Sequence, residues 1–324
     1  MNYLSKAMAH LILRNKAFIE LKPRLPYNFD ANFHKPSHFP SSDNLWEKGK
    51  YWITMVWNGK YLGLKFEDMK NKIKVVIYSQ KPLSRGFIDD LIPELMWRFN
   101  IDQDISGFCD KFKDENMRLI IKKWKGMKPI ASNSIYETLI IYIILQNATV
   151  RRSVQMLENL FNKFGKKVQF DNKILSTFWE PEAMAKSSEE ELRELKVGYR
   201  AKTLMNLTKQ FANKEIDEFE LRKKSRDEVR REILKLYGIG PASVEYLLFG
   251  DFYFLDALET IPPWEQKILS RLLFNKKSVP SQKILNFFKR YKPYEKLAFH
   301  YIWEDLFWKR KHEHIDWLEK EIRL

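Results

Sequence analysis

Only one cysteine, Cys109, stands among 324 residues. A lone thiol closes no intramolecular disulfide and cannot supply a four-cysteine zinc or iron–sulfur site. Long apolar runs are also missing. The nearest candidate, Leu139 to Leu145, falls far short of the roughly 20 residues that a spanning helix needs. The chain opens without the charged and apolar pattern of a signal peptide, so an intracellular location and no membrane partner are expected. Internal repeats and low-complexity linkers are absent. His312-Glu313-His314 invites a metal reading, but that histidine spacing suits no helical site and no further ligands stand nearby, so no metal is expected there.

What is present is apolar, aromatic and basic. Hydrophobic residues make up 44% of the chain and aromatic residues 15%, enough to build packed cores and exclude a wholly disordered protein. The 57 Lys and Arg exceed the 42 Asp and Glu, for a net charge of +15. Such an excess favours a polyanionic partner, a nucleic acid or an anionic membrane surface. The length suits two domains.

The first hundred or so residues read as mixed α/β. Tyr51 to Trp57 is strand-like, Asn58-Gly59 is a preferred type I′ hairpin pair, Tyr61 to Phe66 returns, and Lys74 to Tyr78 offers another strand. Pro23 to Pro40 looks irregular. From about Phe108 the punctuation is helical. Capping boxes are expected at Ser134 to Glu137, Ser187 to Glu190 and Ser225 to Glu228. A helix from about Val150 should stop at Gly165, and another should end near Gly198. Pro263 and Pro293 are placed to open helices reaching Phe274 and Trp308. The expected fold is mainly α with an α+β N-terminal domain: residues 1–105 carry an antiparallel sheet, and 106–324 form a helical domain.

The most specific segment is Ile233-Leu-Lys-Leu-Tyr-Gly-Ile-Gly-Pro-Ala-Ser-Val-Glu-Tyr-Leu-Leu-Phe249. Two apolar-faced helices flank a turn with glycines at 238 and 240, where positive φ and close backbone approach are expected. Amides of the turn and of the next helix would point at an anion such as a DNA phosphate, which positions the protein without reading sequence. The lesser reading of the segment alone is an ordinary αα-hairpin with a Gly-rich turn.

The segment resembles the helix-hairpin-helix of the HhH-GPD DNA glycosylases, with the hairpin at about 227–249, and the likeness runs in order from about Phe108 to Trp308. Tyr136-Glu-Thr-Leu139 with Ile144-Leu-Gln-Asn147 is similar to a core helix and its probing loop, and Val197-Gly-Tyr-Arg-Ala-Lys202 to a turn into a helix. Lys289-Arg-Tyr-Lys-Pro-Tyr-Glu-Lys-Leu-Ala-Phe-His-Tyr-Ile-Trp303 is closest to the inducible 3-methyladenine branch.

The resemblance implies a DNA-repair enzyme that flips a damaged base out of double-stranded DNA. It places Gln146 and Asn147 on the loop that probes the vacated site, and Lys202, Gly238, Gly240 and Ala242 on the DNA-binding surface. A carboxylate beside the sugar would stabilise positive charge or activate water. Asp256 is its best match and Glu259 the second candidate, because the interval after Gly240 is shorter than usual for the family. Bifunctional members carry a lysine where this chain has Ala242, which implies base release without efficient strand cleavage. Tyr246 and Trp303 fall at base-pocket positions, where aromatic faces attract cationic alkylated purines; read as residues alone, both also suit a core.

Basic clusters at Lys122, Lys123, Lys125 and Lys128, at Arg151 and Arg152, and at Arg222, Lys223, Lys224 and Arg226 are candidate phosphate neighbours. No cofactor is expected, with a structural monovalent cation at the hairpin left open, and the chain should act as a monomer. Removal of 8-oxoguanine and a non-catalytic damage-binding module are the competing readings.

Overall fold

The structure, a computed structural model, describes residues 10–112, 114–313 and 315–321. The N-terminal part comprises β1 (Leu11–Ile12), β2 (Asn15–Leu21), α1 (Phe29–Phe33), β3 (Asn44–Glu47), β4 (Lys50–Trp57), β5 (Lys60–Asp68), β6 (Ile73–Ser79) and α2 (Arg85–Arg98). Five of these strands form an antiparallel sheet in the order β2-β6-β5-β4-β3. The β4–β5 turn closes on Trp57 opposite Lys60, and Asn58 and Gly59 take φ of 47° and 70°. A type I′ turn requires positive φ at both positions, so this hairpin follows directly from the Asn-Gly pair. One face of the sheet buries Ile53, Leu64 and Ile77 against Leu91 and Leu95 of α2 and Phe29 and Phe33 of α1.

The remainder is helical: α3 (Ser106–Lys111), α4 (Glu115–Trp124), α5 (Ile135–Leu145) and α6 (Val150–Phe164), then β7 (Lys167–Phe170) and β8 (Lys173–Ser176). There follow α7 (Pro181–Ala185), α8 (Glu189–Glu194), α9 (Arg200–Ala212), α10 (Glu218–Leu221), α11 (Arg226–Ile233) and α12 (Pro241–Gly250). Finally come α13 (Pro263–Phe274), α14 (Ser281–Phe288), α15 (Glu295–His312) and α16 (Asp316–Glu321). Two helical cores result. One gathers α5, α6, α9 and α11; the other gathers α4 and α13 to α15. Helix α12 belongs to both, giving Val244, Leu247 and Leu248 to the first and Phe249 to the second.

Local punctuation is mostly as expected. Ser134 and Glu137 form a reciprocal capping box on α5, Gly165 caps α6, and Pro263 opens α13. The box on α8 is Ser188 with Glu191, one residue later than expected. Pro293 is not a first-turn residue: α15 starts at Glu295 with Tyr294 as its N-cap, and runs on to His312. The stretch from Pro23 to Pro40 contains α1, capped by the Asn28 side chain.

The β7–β8 hairpin was not anticipated. Each strand is four residues long and lysine-led, and the turn uses Asp171 and Asn172 at φ of 46° and 58°, so periodicity has little to act on. This hairpin matters for assembly. Strand β7 pairs in parallel with β1, and Asp171 accepts from Trp52 Nε1 at 2.7 Å and Tyr78 Oη at 2.8 Å while pairing with Lys65 Nζ at 3.1 Å. Burial pushes the Asp171 carboxyl up, but its three donors outweigh that and hold it below the usual range. Asp171→Ala should destabilise the protein by about 2–4 kcal/mol, read from the denaturant midpoint. A group with a depressed native pKa stabilises above its unfolded value, near pH 4. The difference between wild type and variant should therefore be full at neutral pH and shrink as pH falls through the native value. A midpoint unchanged at pH 7 would contradict this role.

Candidate active site and nucleic-acid interface

The hairpin is built by α11, a short turn and α12. Gly238 has φ of 77°, and a Cβ there would run into Thr203 Cγ2 of α9, so both conformation and space demand glycine. Gly240 departs from expectation. It is the N-cap of α12 at φ −103° and ψ 173°, ordinary extended backbone, and a Cβ there would meet nothing within 4 Å. The openness itself is the useful property, because it leaves the first-turn amides of α12 uncovered. Those amides have no intrahelical acceptor, and with the helix dipole they offer the geometry that can hold an anion. Pro241 occupies the first helical position and Ala242 is exposed beside it. The two helices are tied by Arg230, whose guanidinium binds buried Glu245 of α12.

The loop expected to probe the vacated site follows α5. Asn147 is exposed with φ of 49°. The Gln146 carbonyl accepts from the Arg200 guanidinium, and Arg200 Nε also donates to the Ile143 carbonyl at 3.1 Å. Tyr199 donates to the same Gln146 carbonyl at 3.4 Å and accepts from Asn147 Nδ2 at 3.4 Å. Arg200 is buried by this work, whereas the Tyr199 ring is 56% exposed. The turn into α9 thus clamps the loop and presents an aromatic ring next to it. Lys202 is exposed one position beyond Ala201, on the same helix whose Thr203 touches Gly238. Gln146, Asn147, Lys202 and the hairpin are consequently linked through α9.

The carboxylates lie just past the hairpin. Backbone amides of Lys296 and Leu297 donate to the Leu255 carbonyl at 2.9 and 3.1 Å, which docks the segment after α12 onto the start of α15. Asp256 is 44% exposed and pairs with Arg226 at 3.1 Å. Glu259 is 45% exposed and pairs with Arg226 at 3.3 Å and Arg230 at 2.8 Å. A third carboxylate shares this neighbourhood. Glu265, in the first turn of α13, is 2% exposed and accepts from the Tyr246 hydroxyl. Burial pushes its carboxyl up, partly offset by Lys296 and by Tyr246.

Tyr246 and Trp303 are linked through Lys296 and Phe299. Lys296 Nζ lies 5.1 Å from the Tyr246 ring centre and 4.3 Å from that of Phe299. Phe299 stacks on Trp303 at 5.7 Å, and Trp264, 46% exposed, meets Trp303 edge-on at 5.2 Å. Tyr142 packs edge-on against Tyr246 at 6.1 Å, and also lines a cavity of about 230 Å³ with Phe33, Lys35, Thr138 and Asp251.

Several expected phosphate neighbours are engaged within the protein: Lys123 pairs with Asp305 at 2.8 Å, Lys223 with Glu220 at 2.6 Å, and Arg226 with Asp256 and Glu259. Lys128 is fully buried, with its pKa lowered to about 8 by burial, and donates to the Arg24 and Ile101 carbonyls. Arg222, half-buried, is held between Glu94 and Glu218. Lys122, Lys125, Arg151 and Lys224 remain exposed. His312 stacks on Trp308, while His314 lies outside the described residues.

Sequence reading missed Arg200, Arg230, Glu265 and Lys296 as site residues. The signal for Arg200 and its neighbour Tyr199 was within reach, in the turn before α9. For Glu265 it was a carboxylate in the first turn after Pro263.

The helical domain thus sets a glycine hairpin beside a clamped loop and a carboxylate-rich segment. A model of the HhH-GPD superfamily of base excision DNA repair proteins matches residues 140–319. The chain belongs to that superfamily, the class of the DNA glycosylases expected from its sequence. It is 20% identical over 256 residues to the DNA-3-methyladenine glycosylase of Bacillus subtilis, covering 74% of this chain and 84% of that one. The 3-methyladenine DNA glycosylase of Archaeoglobus fulgidus shares the fold with a TM-score of 0.72 at 18% identity, over 92% of this chain and all of that one. The Clostridium acetobutylicum 8-oxoguanine glycosylase/lyase shares it with a TM-score of 0.66 at 17% identity, over 92% and 99%.

The two glycines separate stability from binding. Gly238→Ala should lower stability by about 1–3 kcal/mol through φ strain and the Thr203 clash. Gly240→Ala should fold normally yet weaken duplex binding at least fivefold, measured by fluorescence anisotropy. Equal effects on both properties in both variants would contradict the assignment.

Proposed function

We propose that the protein is a monofunctional DNA glycosylase: it flips a damaged purine, foremost an alkylated one, out of duplex DNA and hydrolyses the N-glycosidic bond without efficient strand cleavage. One observation carries this reading. Behind the phosphate-binding hairpin, four carboxylates (Glu245, Asp256, Glu259 and Glu265) face three cations (Arg226, Arg230 and Lys296). When all are ionised, a locally negative spot stands within a chain of net charge +15. Overall positive charge draws DNA in. The local negative spot suits the positive charge that grows on the sugar as the base departs, and suits a base that is itself cationic.

In this reading the α12 amides hold a backbone phosphate, while Asn147 and the exposed Tyr199 ring fill the gap left by the extruded nucleotide. Asp256 is the favoured carboxylate because one guanidinium neutralises it, whereas two neutralise Glu259. Water attacks C1′ as the C1′–N bond breaks; the carboxylate steadies the sugar cation and takes the water proton. Ala242, exposed at the mouth of α12, offers no amine for a Schiff base, which supports base release without efficient strand cleavage. The names of the Bacillus and Archaeoglobus relatives support alkylated purines as substrate.

Single-turnover release of 7-methylguanine from a duplex tests the assignment. Asp256→Asn should slow release by about 100-fold or more, and Glu259→Gln by less than tenfold. The reverse order would make Glu259 the catalytic residue, and no release of any damaged purine by the wild type would end the glycosylase reading.

A further inference from the structure

Beneath the expected base-pocket residue Tyr246 lie two buried ionisable side chains of opposite sign, each set against its ring or hydroxyl, that packing does not explain. Lys296 and Glu265 are 4% and 2% exposed. Burying an ionisable group without a close ionic partner costs stability, so the retention of these two calls for another reason. Glu265 Oε1 takes the Tyr246 hydroxyl, and Glu265 Oε2 has no partner among the described residues although it is buried. Lys296 lies over the rings of Tyr246 and Phe299, and Phe299 in turn stacks on Trp303. Lys296 is therefore a cation placed against one expected base-contacting ring and, through one intervening ring, against the other. Burial pulls its pKa down, and Glu265 and Glu245 partly restore it.

A cation beneath an aromatic ring draws on the same electron density that would attract a cationic base on the exposed face. A carboxylate hydrogen-bonded to the ring hydroxyl has the opposite effect. We propose that Glu265 and Lys296 are a specificity-determining pair behind Tyr246, their charge balance setting how well the site accepts a cationic purine. The proposal rests on the glycosylase reading and on Tyr246 facing the extruded base. Glu265 and Lys296 act through Tyr246 and are positioning residues; neither needs to touch the substrate.

The signature is a pair of near-isosteric variants with effects of opposite sign. Glu265→Gln leaves Lys296 uncompensated, and single-turnover release of 7-methylguanine should fall at least tenfold. Lys296→Met leaves the carboxylate uncompensated, and release should rise at least threefold. Affinity for undamaged duplex should stay within about twofold in both, since neither side chain belongs to the phosphate-binding surface. A role in packing alone predicts slower release from both variants, and that outcome, or no change in either, overturns the proposal. Should either variant fail to fold, Tyr246→Phe carries the test: it keeps the ring but removes the link to Glu265. Release should then fall at least threefold, and a wild-type rate overturns the proposal. A wild-type protein that releases no base is a separate result, because it removes the glycosylase reading itself.

Discussion

Helix α12 is the element on which the rest of the structure depends. Its N-terminus is the open end of the hairpin, and its buried face is divided between the two helical cores through Val244, Leu247 and Leu248 on one side and Phe249 on the other. A helix clamped in this way cannot shift without disturbing both cores, because packed interiors tolerate little displacement. The free amides at its start and Tyr246 along its length are thus held at a fixed separation. The segment after the helix is also held, by Lys296 and Leu297 amides on the Leu255 carbonyl. Rigid placement of this kind is what a site needs when a flipped nucleotide must meet a carboxylate.

Charge is arranged on two scales. The whole chain is strongly basic, yet the region behind the hairpin is paired almost charge for charge, with Arg226 and Arg230 reaching from α11 to Asp256 and Glu259. The first hairpin helix therefore both packs against α12 and sets how far each candidate carboxylate is neutralised. Arg226 bridges the two, so losing either carboxylate changes the environment of the other, and single-variant effects at 256 and 259 will not add.

Much of this was legible in the sequence because the relevant signals are local. Asn58-Gly59 fixed a turn that needs two positive φ values, Ser134 and Glu137 fixed a helix start, and Gly238 fixed a backbone conformation. Gly240 looked identical to Gly238 in type but serves by leaving space instead of by its φ, a distinction that only the three-dimensional surroundings make. The same holds for charge. Lys128 and Arg222 read as surface cations in a basic chain, yet one satisfies backbone carbonyls and the other two carboxylates in the interior. Glu265 and Lys296 stand 31 positions apart in the sequence, and only the packing of α13 against α15 brings them together beneath Tyr246. The β7–β8 hairpin was hidden for a different reason: its strands are too short and too polar to show a period.

The central claim is that this hairpin and its carboxylates cut the bond between base and sugar and leave the strand whole. Product analysis on a methylated duplex tests it most directly, with free base resolved by chromatography and strands on a denaturing gel before and after alkali. The account predicts free alkylated purine appearing in step with alkali-labile sites, on strands that stay intact until alkali is added. Strand breaks without alkali, or intact DNA with no free base, would contradict it.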